Sequence, residues 1–174
     1  MIKEEKEKQR DFKDFIVKIS RVTKVTKGGK RFRFSVFVVS GDQQGRVGIG
    51  LGKGKDISSA MAKAIKRARK DLITVPLREN TVPYNVQGRH GASKVVIRSA
   101  CKGTGVIAGG PMRAIFEGLG VQDVLTKSYG STNKQNVVKA TLNALAKMRS
   151  VQEIARLRGK TIEQVVKGSH VAAA

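Results

Sequence analysis

The alternation of apolar and polar positions predicts strands in the first part of the chain. Phe15 to Thr26 and Arg31 to Ser40 flank a turn with two glycines, Lys27 to Lys30, an arrangement typical of a β-hairpin. A second turn at 41–45 leads to a third strand, Arg46 to Leu51. The pattern predicts a three-stranded antiparallel meander, which needs another element to cover its apolar face. In the second strand, one face carries Phe32, Phe34, Val36 and Val38, and the other carries Arg33, Ser35, Phe37 and Val39.

A helix with one apolar stripe follows the meander and is its predicted cover. Asp56 or Ser58 can cap the first turn of this helix. A run of charge is commonly a solvated helix face, but here five cations oppose Asp71 alone and directly follow Lys53 and Lys55. This excess favours contact with phosphate. The stripe comprises Ile57, Ala60, Met61, Ala64, Ile65, Ala68 and Leu72, and the basic side comprises Lys63, Lys66, Arg67, Arg69 and Lys70.

The second part of the chain alternates strand and helix patterns. Val75 to Leu77 is a linker or a first strand, and the residues before Lys94 are irregular. Lys94 to Arg98 is the clearest strand, and Pro111 suits the first turn of a short helix that runs through Glu117 and ends at Gly118 and Gly120. Val121 to Tyr129 predicts another strand, and 131–133 offers caps for a helix bearing Val137, Val138, Thr141, Leu142, Leu145 and Met148.

These elements predict an α+β protein with two domains. Capping-box spacings at Ser150 with Glu153 and at Thr161 with Gln164 extend short helices to about Lys167. The predicted boundaries are a charged, flexible segment at 1–14, a sheet-and-helix domain at 15–75, a second domain at 76–158, and a short helix with a loose tail at 159–174.

The charge of the chain points to a polyanionic partner. Lys and Arg outnumber Asp and Glu by 35 to 13, which gives a net charge of +22 over 174 residues. The excess is not confined to the ends, because only Glu117 and Asp123 oppose ten Lys and Arg between Asn80 and Ser150. Nucleic acid is the commonest partner for such a chain, so both halves are predicted to face it.

The composition also excludes several classes of protein. The charged start of the chain lacks the apolar stretch of a secretory signal, and no segment approaches the length of about 20 apolar residues that a membrane span needs. The single cysteine, Cys101, excludes an internal disulfide and a multi-cysteine zinc site, which fits the cytoplasm. No metal, cofactor or membrane partner is predicted.

Two glycine-rich segments resemble nucleotide-binding motifs without fulfilling them. The segment from Gly48 to Lys55 lacks the spacing of a P-loop, and a hydroxyl residue follows neither Lys53 nor Lys55. Its glycines still allow backbone amides to approach a phosphate ahead of a helix. The segment from Gly103 to Ala108 matches GxGxxA with Asp123 about twenty residues on. However, the helix begins after this motif rather than inside it, so a closely packed glycine loop is favoured.

Catalysis has few candidate residues. His90 and His170 are the only histidines, Cys101 has no evident base, and the carboxylates do not pair. Enzyme activity is therefore not predicted. RNA contact is predicted instead, because cations cluster at the hairpin tip and along the helix, and His90 lies beside Arg89 in a loop. The RNA-binding candidates are Lys24, Lys27, Gly28, Gly29, Lys30, Arg31, Arg33, Arg46, Lys53, Lys55, Lys63, Lys66, Arg67, Lys70, Arg89 and Lys134.

Ordered motifs along residues 15–160 resemble the bacterial small-subunit ribosomal protein five family, the universal uS5 family. The first half matches in Val25 to Gly29, Phe32 and Phe34, and Gly41 to Gly50. The second half matches in three segments, namely Gly91 to Lys94, Gly103 to Ala114, and Gly130 to Asn133. Matches in this order are more specific than any single motif.

The resemblance implies an N-terminal domain like a double-stranded-RNA-binding domain and a C-terminal βαβ domain with a left-handed crossover. It further implies a structural role in the small ribosomal subunit. In this role the protein binds rRNA, helps subunit assembly, lines the mRNA entry side and influences decoding accuracy. The implied protein partners are ribosomal proteins four and eight and also three, with no homo-oligomer. The residues that match the interface with protein four are Gly105, Gly109, Gly110 and Arg113.

Three positions depart from the family pattern. Arg33 stands where the family usually has a small residue, so either that face is open to RNA or the strand register is shifted by one residue. Gln43 and Gln44 replace the commoner glycine or asparagine turn pair. Two further hypotheses stay open at this point, a free double-stranded-RNA-binding chaperone and a small nucleotide-using enzyme.

Overall fold

Two four-stranded sheets form the framework of the molecule. The structure, a computed structural model, describes residues 12–167. The predicted flexible start therefore lies mostly outside the described residues, as does the predicted loose end at 170–174. The strands are β1 Lys13–Thr26, β2 Gly29–Gly41, β3 Arg46–Gly54, β4 Leu72–Thr74, β5 Val86–His90, β6 Ser93–Ser99, β7 Val106–Ile107 and β8 Val124–Gly130. The helices are α1 Ile57–Lys70, α2 Gly110–Leu119, α3 Lys134–Leu145, α4 Val151–Arg158 and α5 Ile162–Lys167.

The first sheet has the antiparallel order β1-β2-β3-β4, so the meander predicted from the sequence is present with one strand more. Leu72 was predicted on the helix stripe, but it lies in β4 and pairs with Gly48. The helix ends at Lys70 because the chain turns at Asp71 to place β4 beside β3. A strand of three residues is too short for its alternation to be read from the sequence.

The second sheet has the order β5-β6-β8-β7, in which β7 and β8 are parallel and are connected through α2. The prediction of an α+β fold is confirmed, whereas the prediction that the residues before Lys94 are irregular is wrong. Val86 to His90 forms β5 and pairs with β6. Gly88 and the polar residues of β5 interrupt the alternation that would mark a strand in the sequence. Glycine is needed at this position because α3 packs directly against it. None of the helices within residues 12–167 is long and apolar enough to cross a bilayer.

The main hydrophobic core joins the two halves of the chain. Phe37, Val39 and Val47 of the first sheet share this core with Ile115 and Phe116 of α2. On the opposite face of the first sheet, a smaller core forms between β2 and α1. The first sheet is thus covered on both faces over the inner part of its strands.

Backbone contacts fix the two halves against each other. The amide of Gln43 donates to the Gly118 carbonyl at 2.9 Å, and the amide of Gly45 donates to that of Leu119 at 3.1 Å. A Cβ at Gly41 would overlap the backbone of Gly118. The predicted last residue of α2, Glu117, is therefore two residues too early, because Gly118 is a buried helical contact and the helix runs to Leu119. Gly120, with φ 83°, caps it, as predicted.

Candidate nucleic-acid interface

The outer part of the β1–β2 hairpin, residues 21–33, extends beyond the rest of the first sheet. Phe34 is opposite Gly54, the last residue of β3, so no third strand accompanies the hairpin further out. The turn closes at Gly29, whose φ of 116° suits glycine, and the Thr26 hydroxyl donates to the Gly29 carbonyl at 3.0 Å. Residues 21–25 and 27–33 are all exposed. This segment, called the outer hairpin below, projects from the fold with its side chains in solvent.

The outer hairpin presents cations on both of its faces. Lys24 is opposite Arg31, and Arg33 is opposite Val22, so these three cations share one face. Lys30 is opposite Val25 on the other face, and Lys27 lies at the turn. No Asp or Glu occurs between Phe15 and Gly41, and within residues 12–167 no ion pair involves a cation of the outer hairpin. The segment is thus an uncompensated positive projection.

The register settles the alternative at Arg33. Arg33 lies on the same face of β2 as Ser35 and Phe37, as predicted, and Phe32 and Phe34 lie on the other. The register is therefore not shifted by a residue, and Arg33 is exposed. Its face is open because the second half of the chain covers this side of the sheet only from Phe37 inward.

Arg21 belongs to this surface, although it is not among the predicted RNA-binding residues. Its guanidinium carbon lies 3.7 Å from the centroid of the Phe32 ring, and both side chains are exposed. The stacked arginine keeps its donors directed to solvent while the ring restricts its motion. The sequence indicates that Arg21 belongs with the hairpin lysines, because a cation occurs at every third position, at Lys18, Arg21, Lys24, Lys27 and Lys30.

The solvent side of α1 adds a second group of cations. Lys63, Lys66 and Lys70 are exposed and recur at helical spacing on the side opposite the sheet. Lys53 and Lys55 are exposed just before the helix. These five lysines, called the α1 ridge below, form no ion pair within residues 12–167.

Two arginines of α1 have partners within the protein. Arg67 Nη1 donates to the Leu51 carbonyl at 2.6 Å. Arg69 Nη2 forms an ion pair with Asp14 at 2.8 Å, and its guanidinium lies 5.1 Å from the centroid of the Phe12 ring. Arg67 was predicted to bind RNA. One of its donors joins α1 to β3, but a carbonyl does not neutralise the exposed guanidinium, so RNA contact by Arg67 stays a prediction.

α1 packs directly on the glycines at alternate positions of β3. A Cβ at Gly48, Gly50 or Gly52 would overlap the carbonyl oxygen of Ala68, Ala64 or Ala60, respectively. These glycines are buried, so the interpretation that they let backbone approach a phosphate is wrong. They instead allow the helix backbone to lie directly on the strand, which fixes the position of the α1 ridge. The buried glycines on this face are Gly48, Gly50, Gly52 and Gly54.

Three other predicted RNA contacts lie away from the outer hairpin and the α1 ridge. Arg46 is held by Asp42, with Nε 2.8 Å from Oδ2, and Asp42 also accepts from the amides of Gln44 and Arg46 in the turn. Lys134 Nζ donates to the Val17 carbonyl at 3.3 Å, across the two halves. Arg89 lies in β5 of the second sheet. Arg46 is ion-paired within the fold, Lys134 is exposed with its charge uncompensated by this contact, and Arg89 belongs to a different surface, so their contacts with RNA stay predictions.

The glycine-rich loop before α2 is organised by Asp123. The Oδ1 atom of this buried carboxylate accepts from the amides of Gly103 at 3.0 Å and Gly105 at 2.8 Å. The acidic residue of the apparent dinucleotide motif therefore holds its own loop. Gly109 and Gly110 follow at the start of α2, where a Cβ on Gly110 would meet open space.

Arg113, the last of the predicted protein-interface residues, is exposed on α2. Its Nη2 donates to the Val106 carbonyl at 2.9 Å, and its Nε lies 4.0 Å from Glu117 Oε1. The structure thus brings Gly105, Gly109, Gly110 and Arg113 to one edge of the second half, around β7 and the start of α2. This edge is distinct from the outer hairpin.

Comparisons with known proteins cover nearly the whole described chain. The family described as "Ribosomal protein S5, N-terminal domain" matches residues 12–76, and the family described as "Ribosomal protein S5, C-terminal domain" matches residues 88–158. The small ribosomal subunit protein uS5 of Dinoroseobacter shibae is 50% identical over 166 residues, which cover 95% of this chain and 87% of the relative. The protein of the same name from Flavobacterium psychrophilum is 51% identical over 158 residues, or 91% of each chain. Because both halves match in order and at this level of identity, the chain belongs to the ribosomal protein S5 family.

Proposed function

We propose that this chain is a structural constituent of the small ribosomal subunit that binds small-subunit rRNA through the outer hairpin and the α1 ridge. The outer hairpin carries the proposal, because it is an exposed projection with cations on both faces and no ion-pair partner within residues 12–167. Lysine and arginine contacts to phosphate supply most of the affinity in such a complex and depend on salt. The role fits relatives that are named small ribosomal subunit proteins.

The proposal includes the finer roles that the family resemblance implies. By supporting folded rRNA, the chain assists subunit assembly and contributes to decoding accuracy and to the mRNA entry side. The edge formed by Gly105, Gly109, Gly110 and Arg113 contacts ribosomal protein four. The C-terminal half also contacts protein eight, and protein three lies nearby. The chain acts in the cytoplasm as part of the ribosome.

Sedimentation of a cell lysate tests where the protein resides. Sucrose gradients at low and moderate salt are run, and the chain is detected in each fraction. Near-stoichiometric recovery with small subunits and whole ribosomes is expected. Recovery mainly at the top of the gradient at low salt would contradict the ribosomal role and would favour a free RNA-binding chaperone.

Charge removal at the outer hairpin tests the residues. The variant Lys24→Gln, Lys27→Gln, Lys30→Gln is titrated against an RNA duplex of about 16 bp. We expect weaker binding and a fall of roughly 3 in the slope of log affinity against log salt, about one for each phosphate that a lysine no longer neutralises. The matched control, Lys102→Gln, Lys139→Gln, Lys147→Gln, removes the same charge from exposed lysines elsewhere. Equal losses of affinity in the two variants would show a non-specific charge effect and no hairpin site.

A further inference from the structure

The second sheet has one face that no described helix covers. On its other face, Gly88 lies against Ala140 and Ala144 of α3, so the helices pack there. The uncovered face, called the open face below, faces away from α2 and α3. It carries exposed Arg89, Lys94, Arg98, Lys127 and Tyr129 around half-buried Val96.

Strand register arranges these side chains in rows across the open face. Lys94 of β6 is opposite Arg89 on one side and Tyr129 on the other, which makes the first row. Val96 and Lys127 belong to the second row. Rows on one face of a sheet are about 7 Å apart.

The third row contains Arg98 opposite Leu125. Each of the three rows therefore offers at least one cation beside an aromatic or aliphatic side chain. A chain with regularly spaced negative charges and flat apolar groups is complementary to this arrangement.

The charge of the open face selects the class of partner. Its three rows contain no carboxylate, so a partner of negative charge is favoured over a protein surface of mixed charge. Tyr129 is 53% exposed and offers a ring for stacking. A duplex hides the faces of its bases, whereas a single strand exposes them to such a ring.

We propose that the open face binds single-stranded RNA, with a base stacked on Tyr129 and phosphates contacted by Lys94, Arg98 and Lys127. This contact is separate from the outer hairpin and rests on the proposed function only in that the partner is RNA. Arg89, predicted from the sequence as an RNA contact, extends the same cationic row at the edge strand.

Binding of the full-length chain to a fluorescently labelled oligouridine of about eight nucleotides tests the proposal. Tyr129→Leu is expected to weaken binding about tenfold, because it removes the stacking ring, whereas Tyr129→Phe binds within about twofold of the parent chain. Lys94→Gln with Lys127→Gln is expected to lower the salt slope by about 1.4, at about 0.7 for each single-strand phosphate contact. Lys102→Gln with Lys139→Gln is the charge-matched control. It should lower the salt slope by less than Lys94→Gln with Lys127→Gln does.

The outer-hairpin variant distinguishes this proposal from the proposed function. Lys24→Gln, Lys27→Gln, Lys30→Gln is expected to lose duplex binding and to keep oligouridine binding within about twofold. Loss of oligouridine binding in that variant, with none in Tyr129→Leu, would overturn the open-face site and leave the hairpin site standing. Absence of oligouridine binding by the parent chain would overturn the open-face site as well.

A second measurement needs no variant that might fold poorly. Oligouridine containing 4-thiouridine is photo-crosslinked to the parent chain, and the modified peptides are identified by mass spectrometry. Crosslinks at 94–98 and 125–129 are expected. Crosslinks confined to residues 21–33 would contradict the proposal.

Discussion

The two sheets differ in how completely they are covered, and their side chains differ accordingly. The inner part of the first sheet lies between α1 and the second half of the chain, and the face toward α1 is lined in β3 by glycines that admit a helix backbone. Within residues 12–167, helices cover the second sheet on one face only, and the other face carries cations and a tyrosine. No described element covers either face of the outer hairpin. The buried glycines of β3 therefore mark close cover by a helix, and exposed cationic side chains mark the surfaces that no described helix covers.

The largest effect is expected where a side chain is added under the covering helix. Gly50→Ala places a Cβ against the Ala64 carbonyl, so α1 must move away from β3. We expect the free energy of unfolding to fall by about 3 kcal/mol, because backbone on both sides resists the shift. Thermal unfolding followed by circular dichroism measures the loss, which corresponds to a fall of about 10 °C in Tm.

Gly28→Ala is the control for this substitution. Gly28 lies at the hairpin turn, where a Cβ would meet no atom within 4 Å. The change in stability should stay within about 0.5 kcal/mol. Equal losses of stability at Gly50 and Gly28 would mean that close packing under α1 does not explain the glycines of β3.

A smaller effect is expected at the contact between the two halves. In Gly41→Ala, the new Cβ meets the backbone of Gly118. Gly118 lies near the end of α2, whereas Gly50 lies under the middle of α1, so we expect a smaller loss of about 2 kcal/mol. Hydrogen exchange should also become faster at the amides of Gln43 and Gly45, which donate across this contact.

Gly110→Ala is the matched control, since a Cβ there would meet open space. In Gly110→Ala, the amides of Gln43 and Gly45 should exchange at the same rate as in the parent chain. If Gly41→Ala lowered stability without faster exchange at those two amides, the contact would not be what holds the halves together.

Much of the fold could be predicted from local patterns, and the omissions share a physical cause. The hairpin and the amphipathic α1 follow from alternation and helical spacing within single segments, whereas the register at Arg33 was left open by the sequence. The strands β4 and β5 were missed because Leu72 continues the apolar spacing of α1 and because Gly88 interrupts its strand. Both features are determined by neighbours distant in sequence, which periodicity cannot reveal.

The residues of the candidate site also divide into those that local sequence predicts and those whose contacts depend on residues distant in sequence. The exposed lysines of the outer hairpin and α1 were predicted from their charge, because few acidic residues lie near them in the sequence. Arg46, Arg67 and Lys134 were predicted with them, yet each has a partner within the fold. A cation's partner can lie up to 117 positions away, as for Lys134 and Val17, so sequence charge alone does not show which cations also form contacts within the fold.

The smallest effect compares two buried serines, one in each sheet. Ser40 and Ser93 are both fully buried. The Ser93 hydroxyl donates to the Ser131 carbonyl at 2.7 Å, whereas the Ser40 hydroxyl has no hydrogen-bond partner among the described residues. Ser93→Ala should cost about 1 kcal/mol, because it leaves that carbonyl without its donor.

Ser40→Ala should be nearly neutral or slightly stabilising, because it removes a buried polar group that gains nothing in the folded state. Urea unfolding of the two variants, which differ by the same single atom from the parent chain, measures the difference directly. A loss of stability at Ser40 equal to that at Ser93 would show that the Ser40 hydroxyl forms a hydrogen bond in solution. In that case, a bound water or a shift of α1 would supply the hydrogen-bond partner of the Ser40 hydroxyl.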